Sequence, residues 1–190
     1  MRSRRFIAVS AMALVAAPSL AQQPAAAGVA EAAPADAPAD AFGWMDGRWR
    51  GPATTLTPEG RIRLTQTERS GTMLGGRIRL VEGKGYQPDG SVGFNALGVI
   101  ARTAAGGYEL RSWTLESAGA FPMEVDGTTY VWEVPIAAGT VRYEGSFDGK
   151  TWRETGHLVR EGQPPVETFR MALRRVDATD WPAGGTLAPR

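Results

Sequence analysis

The 190-residue sequence has no cysteine, one histidine (His157), and only two lysines against nineteen arginines. Without thiols there is no disulfide framework, no thiolate nucleophile and no cysteine-ligated zinc or iron–sulfur centre. With a single imidazole, a serine triad would have to use His157, and a three-ligand zinc site would have to recruit two carboxylates. The formal charge of +1 gives no electrostatic reason to expect a nucleic-acid partner. Phosphate-loop and nucleophile-elbow motifs are missing, and so is any fixed-period repeat. After Ala41 no stretch sustains a helical apolar stripe.

What is present divides into four parts. Residues 1–21 read as a signal peptide. Arg2, Arg4 and Arg5 form the basic end, Phe6 to Ala17 the short apolar run, and Ser19 and Ala21 the small residues before a cut after Ala21. The apolar run is too short to span a bilayer, which takes roughly 20 residues. Ser3-Arg4-Arg5 also allows twin-arginine export. Loss of the leader's three arginines takes the formal charge from +1 to −2 and leaves no membrane-spanning run, so a periplasmic or secreted protein is expected. Residues 22–41 hold ten alanines and three prolines and read as a disordered linker. The folded domain is expected over 42–182, with a flexible tail over 183–190.

Within that domain, turn signals recur about every ten residues: Pro58-Glu59-Gly60, Gly75-Gly76, Pro88-Asp89-Gly90, Gly106-Gly107, Asp126-Gly127, Gly139, Asp148-Gly149 and Gly162 to Pro165. Between them lie runs rich in Thr, Val, Tyr, Trp and Ile, so the chain is read as all-β, with at most one helical turn around Phe42 to Asp46. Alternation puts Ile62, Leu64, Gln66 and Glu68 on one inward face, Ile78, Leu80 and Glu82 on another, and Tyr130, Trp132 and Val134 on a third. Strands 93–101 and 108–115 have apolar residues on both faces. Treating Asp148-Gly149 as a two-residue turn pairs Phe147 with Lys150, Gly145 with Trp152, Tyr143 with Glu154 and Glu144 with Arg153. Val141, Tyr143, Phe147, Trp152, Glu154 and Leu158 then face inward, and His157 faces outward with Arg142 and Arg153.

The Gly47-Arg48-Trp49 start after a short turn-like stretch resembles the lipocalin and wider calycin superfamily. That resemblance implies an antiparallel up-and-down barrel of eight to ten strands, closed at one end by Trp49 beneath an arginine of the last strand. Arg175, on the face of Leu173, is the expected partner. The pattern of Trp49, Glu68, Leu74-Gly75-Gly76, Gly98, Trp113 and Trp181-Pro182 is similar to exported bacterial proteins of unknown function with a calycin-like barrel.

Charged groups on apolar faces are the chemically suggestive feature. Glu68, Glu82 and Glu154 fall there, and Arg111, two residues from Trp113, could neutralise one of them if its face is the interior. The leading expectation is a small-molecule binder with Tyr130, Trp132 and Tyr143 as walls and Glu68, Arg111 and Glu154 as anchors, without metal or cofactor. An acid/base enzyme resembling phenolic acid decarboxylases would use Glu68 or Glu154 as the acid and Arg111 on a substrate carboxylate. A heme-binding barrel resembling the nitrobindins would use His157. Ligand identity and oligomeric state are left open.

Overall fold

The computed structural model describes residues 40–181. The expected leader, the linker up to residue 39 and the tail lie outside the described residues. A 3-10 turn, Gly43–Met45, leads into ten strands: β1 (Gly47–Thr57), β2 (Gly60–Met73), β3 (Ile78–Tyr86), β4 (Val92–Arg102), β5 (Tyr108–Thr114), β6 (Ala118–Asp126), β7 (Thr129–Ile136), β8 (Gly139–Phe147), β9 (Thr151–Arg160) and β10 (Gln163–Asp177). Each strand pairs antiparallel with its neighbour in sequence, and β10 returns to pair with β1. The expected all-β up-and-down barrel is therefore what forms, and no open sheet edge is left. Among the described residues, no helix is long and apolar enough to cross a membrane.

The turn glycines explain the punctuation. Gly90, Gly106, Gly127 and Gly149 take φ of 83°, 86°, 55° and 85°, a region that costs side-chain-bearing residues strain.

The barrel is plugged at one end. Phe42, Met45, Trp49, Trp152 and Leu173 are each at most 3% exposed. Trp44 stacks on Phe147 with ring centroids 5.0 Å apart, and Trp49 meets Trp152 edge-on at 5.8 Å. The Trp49 indole N–H donates to the Met45 carbonyl at 2.8 Å, fixing the 3-10 turn across the opening. Arg175 pairs with Trp49 across β10 and β1; its guanidinium lies 4.8 Å from the indole centroid and donates to the Trp44 carbonyl at 2.6 Å. Gly47 precedes the pair because a Cβ there would press on the Asp177 carbonyl and on Arg175 itself.

Arg79 ties the entry segment to the wall. Its buried guanidinium donates to Asp46 and Asp40, each at 2.5 Å, and to the Ser70 hydroxyl at 3.2 Å. This corrects the expected polarity of β3. Arg79, Val81, Gly83 and Gly85 line the interior, while Ile78, Leu80 and Glu82 face out. Glu82 instead meets Lys84 at 2.8 Å and Arg69 at 3.5 Å on the outer surface. The sequence misleads here because the inner face of β3 is built of glycines and one arginine whose acidic partners lie more than thirty residues upstream.

The β8–β9 hairpin also differs from expectation, by two residues. Phe147 pairs with Trp152, Gly145 with Glu154 and Tyr143 with Gly156. The Asp148 carboxylate accepts from the backbone N–H groups of Lys150 (2.9 Å) and Thr151 (2.7 Å), which favours the longer loop. An even slip preserves the faces, so Glu154 still points inward and His157 outward.

Candidate functional site

In the half opposite the plug, the inward side chains Phe121, Trp132, Tyr143, Leu158 and Phe169 keep some accessible surface, while Leu64, Val134 and Val141 are buried; at the plug Phe42, Met45, Trp49, Trp152 and Leu173 are buried and Trp44 and Phe147 are partly exposed. This half of the interior, the cup, has aromatic walls. Trp132 stacks on Tyr143 with centroids 4.3 Å apart and planes 10° from parallel, and Phe121 leans on Trp132 at 5.5 Å. Inner-face glycines make room for these rings. A Cβ at Gly145 would collide with the Tyr130 ring, and one at Gly156 would crowd Tyr143.

Two carboxylates stand at the floor. Glu154 accepts from the Tyr130 hydroxyl at 2.5 Å, and that hydroxyl accepts from the Trp152 indole N–H at 2.9 Å. The Trp132 indole also favours the charged form of Glu154. Glu68 is 8% exposed and accepts from the Gln66 amide at 2.7 Å. A Cβ at Gly83 would come within 2.9 Å of both Glu68 oxygens, so this strand neighbour must be small. The Gln66 carbonyl oxygen is buried and has no hydrogen-bond partner.

Among the described residues, neither carboxylate makes an ion pair. Burial pushes the Glu68 carboxyl from 4.5 up to about 8, the Gln66 hydrogen bond opposes the rise, and the negative charges of Glu154 and Glu82 add to it. Burial likewise raises Glu154, against hydrogen bonds from Tyr130 and Trp132. Tyr130 is pushed well above the usual phenol range by burial and by Glu154, and Tyr143 is raised to about 12 for the same two reasons.

Of the residues singled out in the sequence, Glu68, Tyr130, Trp132, Tyr143 and Glu154 are brought together. Arg111 is not. It lies on the outer face of β5, with its side chain 65% exposed, and donates to Glu109 at 2.8 Å. Its neighbour Trp113 is also outside, 46% exposed, opposite outward Leu97 on β4. Strands β4 and β5 are apolar on both faces because their outer face carries exposed apolar residues such as Leu97 and Trp113. His157 sits opposite Arg142 and Glu167 on the outer side, so the lumen has no imidazole to offer a heme iron. Sequence reasoning missed the wall residues Phe121 and Phe169 and the orphaned Gln66 oxygen. The alternation Gly119, Phe121, Met123, Val125 would have exposed the first of these.

Two depressions, of about 340 and 390 Å³, lie away from the cup. One is on the outer side of β1–β3, lined by Arg48, Arg50, Arg69 and Lys84 among others, with Trp49 and Glu68 also in its lining. The other flanks the plugged end near Arg102, Tyr108 and Val125. Among the described residues, no group of three or more His, Asp or Glu is placed to hold a metal ion.

No protein-family model matches the sequence, and no curated protein does. Among solved structures, the chain is similar to the crystal structure of Rv2717c from M. tuberculosis. The TM-score is 0.54 at 16% identity, covering 72% of this chain and 98% of that one. It is also similar to lobster apocrustacyanin A1, with a TM-score of 0.36 at 15% identity, over 68% of this chain and 59% of that one. The first likeness supports the class, a closed antiparallel barrel; at that identity it speaks to the fold alone.

Proposed function

We propose that the protein is an exported small-molecule binder that holds a partly apolar ligand in the barrel cup. Trp132, Tyr143 and Phe169 form the walls, and Glu68 and Glu154 the polar floor. The observation that carries this reading is the floor of this half: two inward carboxylates, in no ion pair among the described residues, beneath the partly exposed rings of Trp132, Tyr143 and Phe169. Apolar walls with a few polar groups at depth are the usual make-up of a small-molecule site. Export rests on the basic, apolar and small-residue pattern of residues 1–21.

The acid/base reading needed Arg111 to hold a substrate carboxylate, and with Arg111 on the outer surface that anchor is gone. The heme reading needed His157 inside.

The test uses the neutral apolar probe N-phenyl-1-naphthylamine. Saturable fluorescence enhancement is expected in the wild type, and at least a roughly 10-fold weaker response in Ala96→Phe, since Ala96 on β4 pairs with Gly83, the strand neighbour of Glu68. Equal binding by that variant, or no saturable binding at all, refutes lumenal binding. Mass spectrometry of protein recovered from the host envelope should show a chain beginning at Gln22. Recovery only of the full-length chain would refute export with cleavage.

A further inference from the structure

We infer that the floor of the cup selects ligands bearing a protonated nitrogen, an alkyl- or arylammonium group, seated against Glu68, Glu154 and the free Gln66 oxygen. This inference rests on the lumenal binding proposed above and specifies its chemistry.

The first argument is an inventory of donors and acceptors. Once both are ionised, as a bound cation favours, the two carboxylates offer about eight lone-pair positions. The donors directed at them are the Gln66 amide on Glu68 and the Tyr130 and Trp132 side chains on Glu154. Independently, the Gln66 carbonyl oxygen, on a side chain 2% exposed, is an orphaned acceptor beside the same carboxylate. A ligand seated here must therefore donate. An ammonium brings three N–H donors and no acceptor, whereas a carboxylate or phosphate would add acceptors to a site already short of donors.

The second argument is charge. Arg79, the buried cation of the interior, is engaged at the plug by Asp40, Asp46 and Ser70. Arg111 is outside. Arg160 falls six residues further along β9 than Glu154, roughly 20 Å toward the rim at about 3.3 Å per residue. Arg48, Arg50, Arg69 and Lys84 border the depression that Glu68 also touches, but among the described residues neither Glu68 nor Glu154 is in an ion pair. The walls suit the same charge, because the faces of Trp132 and Tyr143 attract cations and leave the rest of the ligand an apolar path outward.

Occupancy then couples to protons. Glu68 faces Gln66, Glu154, Tyr130 and, through the wall of β3, Glu82; Glu154 faces Tyr130, Trp132 and Tyr143. All these titratable groups are acidic, so a bound ammonium favours loss of the Glu68 proton, and affinity for an amine should rise from about pH 6 to about pH 8.

The experiment is calorimetric titration of the full chain with three ligands sharing one tail: octylamine, octanol and octanoate. Octylamine is expected to bind at least about 10-fold tighter than the other two, and Glu154→Gln to weaken octylamine by at least about 10-fold and by clearly more than it weakens octanol; equal weakening of both overturns the selection of a cation. Glu68→Gln serves as a second variant with the same expected pattern, and a cooperative urea transition verifies that each variant is folded. Octanol or octanoate binding as well as octylamine overturns the selection of a cation and leaves lumenal binding standing. An amine affinity untouched in both variants places the site elsewhere and overturns the inference. No binding by any of the three sinks the lumenal reading itself.

Discussion

Replacing Glu68 by glutamine should make the barrel more stable, by an amount set by pH. In the folded chain the Glu68 carboxyl is carried from 4.5 to about 8, chiefly by burial. Between those limits the native state holds a proton that the unfolded chain has released, so stability falls as pH rises, by about 1.4 kcal/mol for each pH unit. The loss is absent below 4.5, accumulates across the interval, and levels off above about 8 at no more than about 5 kcal/mol. Glutamine cannot ionise and still accepts from the Gln66 amide through its carbonyl, so the variant should lack this slope. Urea denaturation from about pH 4 to about pH 9 measures it. Wild type and Glu68→Gln should coincide at the acid end and diverge toward the alkaline end, the variant being the more stable. Curves that run parallel over the whole range would refute the placement of an uncompensated carboxyl in the interior. Glu154→Gln provides a second handle. Removing its negative charge relieves one of the causes that raise Glu68, so the wild-type slope should end at a lower pH in that variant.

The buried Arg79 should show an asymmetry between its partners. The double change Asp40→Asn with Asp46→Asn strands the guanidinium and should cost about 3–5 kcal/mol, while Arg79→Met should cost less, because its acids are 39% and 42% exposed and can hydrate; urea midpoints decide, and the reverse order would refute it. Trp49→Ala should cost about 3–5 kcal/mol by emptying the plug, read from the same transitions, and a loss below about 1 kcal/mol would contradict a sealed end. Gly145→Ala should destabilise by about 1–3 kcal/mol and alter near-ultraviolet circular dichroism, because the Tyr130 ring occupies the space of the new methyl; an unchanged spectrum and stability would refute that contact.

Most of the architecture was legible because turn chemistry and alternation are local. Glycines with positive φ stand where Pro88-Asp89-Gly90, Gly106-Gly107, Asp126-Gly127 and Asp148-Gly149 announced turns. The plug was legible in part, since Gly-x-Trp and a terminal arginine mark its two ends, but the seating of Phe42 and Met45 under Trp49 depends on contacts that only closure of the barrel creates. Arg79 was illegible for a related reason. An arginine next to Arg77 reads as solvated until Asp40 and Asp46 are known to fold over it. Arg111 shows the opposite limit: beside Trp113 it looked lumenal, yet that tryptophan belongs to an exposed apolar outer face that no local pattern distinguishes from a core face.

The two registration errors weigh differently on the site, and parity is the reason. Side chains on a strand alternate with a period of two, so an error of two residues changes partners and keeps faces, while an error of one exchanges core for solvent. The Asp148 loop proved longer than a two-residue turn, which exchanged Tyr143 for Gly145 opposite Glu154 but left the carboxylate in the lumen. On β3 the error was one of parity, so Glu82 left the interior and Arg79 entered it. That second exchange carried the chemistry with it. The arginine went to the plug, where acids from the entry segment consume its charge, and a third carboxylate went to the outside, where Lys84 and Arg69 meet it. What remains at the depth of the cup is two glutamates in no ion pair, and on that remainder rests the proposed preference for a ligand that brings its own positive charge.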